Sequence, residues 1–157
     1  MPESACDHLR RDHQAIEERL DTLLAALLHI TPQGIPGIQV TFCQLRDLAA
    51  VHFRKEEEIF YPKLRPSASD LLARLDLQHE EVRELERHVA ELLADPPPAP
   101  DSRLLNELRS FGIEFHDRIQ HHIVDEEEQL FRLAGDCLTR EDQENLAKAM
   151  EEINRRA

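Results

Sequence analysis

The 157-residue chain has no tryptophan, one tyrosine, four glycines and three cysteines. So few glycines beside abundant Leu, Ala, Glu and Arg point to helix throughout. The cysteines, at positions 6, 43 and 137, form no close pair. An odd count without regular spacing is not a disulfide framework and suits a reducing compartment. Basic residues are also short, 19 Lys+Arg against 32 Asp+Glu, for a formal net charge of −13. Phosphate binding needs a Lys/Arg footprint, which argues against nucleic acid and anionic membrane surfaces as partners. The longest apolar stretch, LLAALLHI at 23–30, is too short to span a bilayer. The polar segment MPESACDHLRRDHQ carries no signal-peptide pattern. These absences leave one acidic, cytoplasmic domain, a monomer or homodimer. What the chain has in unusual number is histidine, with nine.

Apolar residues recur at spacings of three and four along nearly the whole length. A first helix is expected from about residue 5 to 30, with Ser4 and Asp7 forming its capping box. The segment Thr31-Pro32-Gln33-Gly34-Ile35-Pro36-Gly37 breaks it, and a second helix follows to about Lys63, with Pro62 marking its end. Ser67 and Asp70 repeat the capping pattern before a third helix to about Ala94. The stiff run Asp95-Pro96-Pro97-Pro98-Ala99-Pro100 leads to Asp101, the expected N-cap of a fourth helix ending near Gly135. Thr139 and Asp142 cap a shorter helix over about 140–155, which packs across the bundle end or mediates dimerisation. The expected fold is all-α: an up-down-up-down four-helix bundle over about 5–135 with a short fifth C-terminal helix, one domain spanning 1–157.

Each long helix carries an apolar stripe, and each stripe is interrupted by a histidine. The interruptions are His13 between Leu9 and Ile16, His52 after Ala49, His79 between Leu75 and Val82, and His122 after Ile119. Two stripes are broken again four residues later, by Glu56 and Glu126. At about 1.5 Å per residue, His13, His52 and His79 fall at one height along the bundle, and His122 matches less well. The other histidines, His8, His29, His88, His116 and His121, stand about 100° off the stripes and are expected at the boundary or in solvent. A weak internal repeat links HFRKEEEIFYPKL at 52–64 with HIVDEEEQLFRLA at 122–134. Two helical hairpins, each supplying a lone His and a His-x-x-x-Glu, therefore build the bundle with approximate twofold symmetry.

His-x-x-x-Glu sets imidazole and carboxylate one helical turn apart on one face, so both reach the same point in the core. A metal-free network of buried pairs is the alternative, but such pairs rarely offset their desolvation. Helices 2 and 4 are diagonal in a sequential ring, so Glu56 and Glu126 approach from opposite sides and suit carboxylates bridging two ions, with two histidines for each. A nitrogen-rich, carboxylate-bridged set suits iron, and zinc or manganese could substitute. Phe115, Ile119, Ile59, Phe60 and Leu130 are placed to wall a dry pocket, chiefly as core. Tyr61, one step off the stripe, is expected at the boundary. Glu57, Glu58, Glu127 and Glu128 form a solvated face from which one could orient a ligand imidazole. Cys43 and Cys137 are expected to be buried and Cys6 to be the reactive thiol.

At these residues the sequence resembles the hemerythrin family, in particular its bacterial HHE cation-binding branch, over about residues 5–135. The resemblance implies a four-helix bundle holding a non-haem di-iron centre that binds O2, NO or a related small ligand. Carried over by position, it implies His13, His52, Glu56, His79, His122 and Glu126 as metal ligands, with no separate catalytic residue. Oxygen-carrying members have a further histidine one turn after the helix-3 ligand, where this chain has Arg83. They also place an aspartate five residues after the helix-4 histidine, whereas Glu126 follows His122 by four. Losing the fifth imidazole opens another coordination position. A small-ligand binding or sensing protein is the favoured reading. An enzyme reducing O2, peroxide or NO, and an iron store or donor, use the same six residues.

Overall fold

The computed structural model describes residues 2–157, and all regular structure among them is helical. Helix α1 (Ala5–Leu28) leads through a short 3₁₀ turn to α2 (Ile35–Lys55). The second rod continues through a π turn (Glu56–Phe60) into α3 (Tyr61–Leu64). Helix α4 (Ser69–Leu93) and, after the proline-rich connection, α5 (Ser102–Asp125) complete the bundle. A second π turn (Glu126–Leu130) joins α5 to α6 (Phe131–Cys137), and α7 (Arg140–Arg156) closes the chain. Helix α1 packs on α2 and α5, α4 packs on α5, and α2 approaches α4 less closely. The rods thus form a ring with α2 and α5 on one diagonal, as the sequence predicts.

The caps mostly follow the sequence. Ser4 Oγ accepts from the Asp7 N–H at 3.0 Å, and Asp101 Oδ1 accepts from the Leu104 N–H at 2.9 Å. Thr139 and Asp142 form a reciprocal capping box. The Ser67–Asp70 expectation fails. Ala68 precedes α4 without a side-chain cap, because Arg65–Ser67 forms a 3₁₀ turn that carries the chain into the helix by backbone hydrogen bonds. Pro62 does not end its rod either. It stands in the first turn of α3, directly after the π turn, where a missing N–H costs little.

The core comes in two apolar clusters. One contains Ile16, Leu20, Phe42, Leu45, Phe53, Val82, Phe115 and Ile119. The other contains Leu9, Phe60, Tyr61, Leu75, Leu130 and Phe131. Along every rod the stripe histidine falls between a member of one cluster and a member of the other. The polar residues therefore form a layer sealed above and below by apolar side chains. Helix α7 lays Leu146, Ala147, Met150 and Ile153 against α1, α2 and the first π turn. No helix among the described residues is long and apolar enough to cross a membrane.

Candidate metal centre

The six residues singled out by the stripes meet in that layer, each no more than 2% exposed. His13 Nε2 lies 3.2 Å from Glu126 Oε1, and His52 Nε2 lies 2.6 Å from Glu56 Oε1. His79 Nε2 is 2.9 Å from Glu56 Oε2, and His122 Nε2 is 3.3 Å from Glu126 Oε1. Their donor atoms fall into two groups, His13–His52–Glu56–Glu126 and Glu56–His79–His122, with all atoms of each group within 4.8 Å of one another. Glu56 belongs to both. It turns Oε1 to one group and Oε2 to the other.

An outer ring of side chains faces the histidine Nδ1 atoms. Glu127 Oε1 is 3.2 Å from His13, Asp12 Oδ2 is 3.1 Å from His52, and Gln78 Oε1 is 2.7 Å from His122. Glu57 Oε2 stands 3.5 Å from His79 Nδ1 while taking both its short bonds, 2.6 and 2.8 Å, from Arg83. An acceptor at Nδ1 holds the proton there and leaves the Nε2 lone pair pointing inward. His13, His52 and His122 can thus each turn an Nε2 lone pair toward the two carboxylates, while His79 Nδ1 has no aligned partner. His79 Nε2 and His122 Nε2 approach to 3.0 Å. His52 Nε2 and Glu56 Oε1, although close, have no aligned hydrogen bond. Acceptors crowded together in a dry layer fit a cation between them and fit little else.

Electrostatics without a cation agree. Burial opposes charge on His52, but the Glu56 carboxylate and Asp12 outweigh it and raise its pKa well above the usual imidazole value. Burial is likewise outweighed at His122, where Glu126 raises the pKa to about 9. Glu56 is held down to about 2 by His52 and His122 against both burial and the neighbouring Glu126. The pocket thus carries protons on its imidazoles when nothing else balances its carboxylates. A metal ion would displace them.

The two π turns bring in residues that the stripes do not mark. Tyr61 N–H bonds to Glu56 O, and Phe131 N–H bonds to Glu126 O, each five residues back. The wider turn puts residue 61, not 60, beneath Glu56. The expectation of a boundary tyrosine is therefore corrected: Tyr61 is fully buried. Its hydroxyl donates to Glu126 Oε2 at 2.8 Å and lies 3.3 Å from both Glu56 Oε2 and His79 Nε2. Phe131, at the matching offset, stacks on His13 with ring centroids 5.6 Å apart. Phe53 stacks on His79 at 3.9 Å.

A family model described as the hemerythrin HHE cation binding domain matches residues 4–134. The chain belongs to that family. Comparison with curated proteins finds no match, and comparison with solved structures finds none. In this hemerythrin HHE domain the two His/Glu groups are the place where metal could be held. Arg83, where the resemblance sets the carriers' extra histidine, is half exposed; it bonds to Glu57 and lies over the Phe53 ring, 5.6 Å from its centroid, so it touches the centre's neighbours and not the centre itself. Of the flanking glutamates, Glu57 and Glu127 face histidines while Glu58 and Glu128 stay in solvent.

Other expectations are reversed. His8 is fully buried, because α7 covers that side of α1 and brings Glu151 to 3.9 Å, and His116 is 9% exposed. His29, His88 and His121 are exposed as expected. Cys43 and Cys137 are exposed, whereas Cys6 is buried beside Phe131 and burial raises its thiol pKa to about 11. Asp12, Gln78, Lys55 and Asp125 escaped the sequence reading. The one available signal was positional: Asp12 and Gln78 each immediately precede a stripe histidine.

Proposed function

We propose that this hemerythrin HHE domain is a non-haem di-iron protein that binds or senses O2, NO or a related small ligand. The observation that supports this most is the pair of His/Glu groups sharing Glu56 in an otherwise apolar layer. His13 and His52 would hold one ion and His79 and His122 the other, with Glu56 and Glu126 between them. Iron would supply a reversible one-electron couple and open positions for an exogenous ligand. The protein's own part is to aim and to exclude. Asp12, Gln78 and Glu127 fix the imidazole orientations. Phe53, Phe60, Phe131 and Leu130 keep bulk water from the layer. Tyr61 offers a hydroxyl proton at the Glu126 carboxylate.

Metal analysis of anaerobically purified, reconstituted protein tests the reading, together with optical spectra after reduction and exposure to O2, NO and peroxide. Two irons per chain and a band that forms and disappears reversibly are expected. Fewer than one ion per chain would overturn the dinuclear reading. Catalytic consumption of peroxide or NO would make the same residues an enzyme's centre.

A further inference from the structure

Resting on that reading, we infer that the two metal positions are unequal: the His13/His52 position fills first and tightly, and the His79/His122 position holds an exchangeable second ion. Three features of the geometry carry this. The first is the donor count. Four donor side chains close on the first position and three on the second. The difference is Glu126, which completes only the first group although its Oε1 lies 3.2 Å from His13 Nε2 and 3.3 Å from His122 Nε2, and whose Oε2 is held at 2.8 Å by the Tyr61 hydroxyl. That hydrogen bond, shorter than the 3.3 Å contact of the same hydroxyl with Glu56 Oε2, takes up one lone pair of the second oxygen, whereas Glu56 turns one oxygen to each group.

The second feature is what stands behind the imidazoles. At the first position both Nδ1 atoms meet carboxylates at hydrogen-bond distance, Glu127 at 3.2 Å and Asp12 at 3.1 Å. A carboxylate there makes the opposite nitrogen a stronger donor. At the second position His122 meets the neutral Gln78 amide, and Glu57 stands off His79 at 3.5 Å.

The third feature is how firmly those groups are held. Lys55 Nζ, 1% exposed, donates to Asp12 Oδ2 at 2.7 Å and pins the same oxygen that faces His52. At the matching position on the other side Asp125 accepts from Gln78 Nε2 at 2.8 Å, so that anion reaches His122 only through an amide. Glu57 is committed to Arg83 by two bonds. With fewer protein donors, the second position is where an exogenous ligand has room.

Calorimetric titration of the metal-free protein with zinc reads the two positions without redox change. Wild type should bind two zinc ions in two steps whose affinities differ about tenfold or more. His79→Ala should keep the tight step and lose the weak one, and His13→Ala should lose the tight one. Asp12→Asn, which keeps the shape, should weaken the tight step about 10- to 100-fold and leave the weak step in place. The double variant Gln78→Asp with Asp125→Lys, which gives the second position the outer pair of the first, should bring the steps together. Helicity by circular dichroism checks that each variant is folded. Two zinc ions bound in a single step, a tight step that survives His13→Ala but not His79→Ala, or a tight step unchanged in Asp12→Asn would each overturn the inference. Less than one zinc per wild-type chain would instead overturn the dinuclear reading beneath it.

Discussion

The α1/α2 half of the centre and the α4/α5 half share a skeleton and differ in what surrounds it. Each half offers a lone histidine, a His-x-x-x-Glu and a π turn after the glutamate. Around that skeleton, Asp12 faces Gln78 across the pseudo-twofold relation, Lys55 faces Asp125, and Tyr61 faces Phe131. Helix α7 packs chiefly on the first half, against α1, α2 and the first π turn. The six residues that meet in the layer repeat, as do Glu57 and Glu127 behind two of the imidazoles, and the divergent residues lie at the other outer positions. Convergence tolerates few residue types, because few side chains bring lone pairs into a dry layer and balance one another's charge there. The outer positions tolerate many, and there the halves have become different.

The largest test of the shared skeleton is Glu56→Ala. One oxygen of Glu56 faces each half, so its loss should cut reconstituted metal content from two ions per chain to one or fewer. Metal analysis on folded protein checks it, and retention of two ions would break the view that Glu56 joins the halves. Lys55→Met comes next. It leaves Asp12 without its buried ammonium and should destabilise the protein by about 3 kcal/mol in chemical denaturation. Asp125→Asn, which can still accept from the Gln78 amide, should cost clearly less, and equal losses would erase the distinction.

Tyr61→Phe makes the first π turn resemble the second. It removes the donor at Glu126 Oε2 while keeping the ring against His79, and should lower stability by about 1–2 kcal/mol in thermal melts. Phe131→Tyr adds no such bond to a matching oxygen and should not compensate in the double variant. The smallest effect concerns the covered end of the first half, where Cys6 occupies the position equivalent to Leu72. With its pKa raised to about 11 by burial, Cys6 stays a thiol at pH 8, and alkylation should reach Cys43 and Cys137 well before it. Rapid labelling of Cys6, read by peptide mass, would show that α7 does not seal this end.

Helical periodicity is a strong signal, and an ionisable group inside an apolar stripe is conspicuous. His13, His52, Glu56, His79, His122 and Glu126 were all legible in that way, as were the ring order of the rods and three of the caps. Periodicity presumes a constant turn and misleads where the turn widens. A π turn swings every later residue by about one position around the axis. That shift is why Tyr61 reads as off-stripe and sits in the core, with Phe131 at the matching place after the second π turn. His8 failed for another reason: its burial comes from α7, distant in the chain.

By itself the sequence determined that the chain is helical, that four rods make one bundle, and that a ring of imidazoles and carboxylates lies in its core. These follow from local spacing, because a residue's direction on a helix is set by its position along it. Only the tertiary structure decided which histidines pair, which glutamate faces both groups, and which side chain stands behind each imidazole. Those outcomes depend on distances between helices that share no local sequence, and on two widened turns that periodicity does not encode. The packing of the rods is what separated one half of the centre from the other.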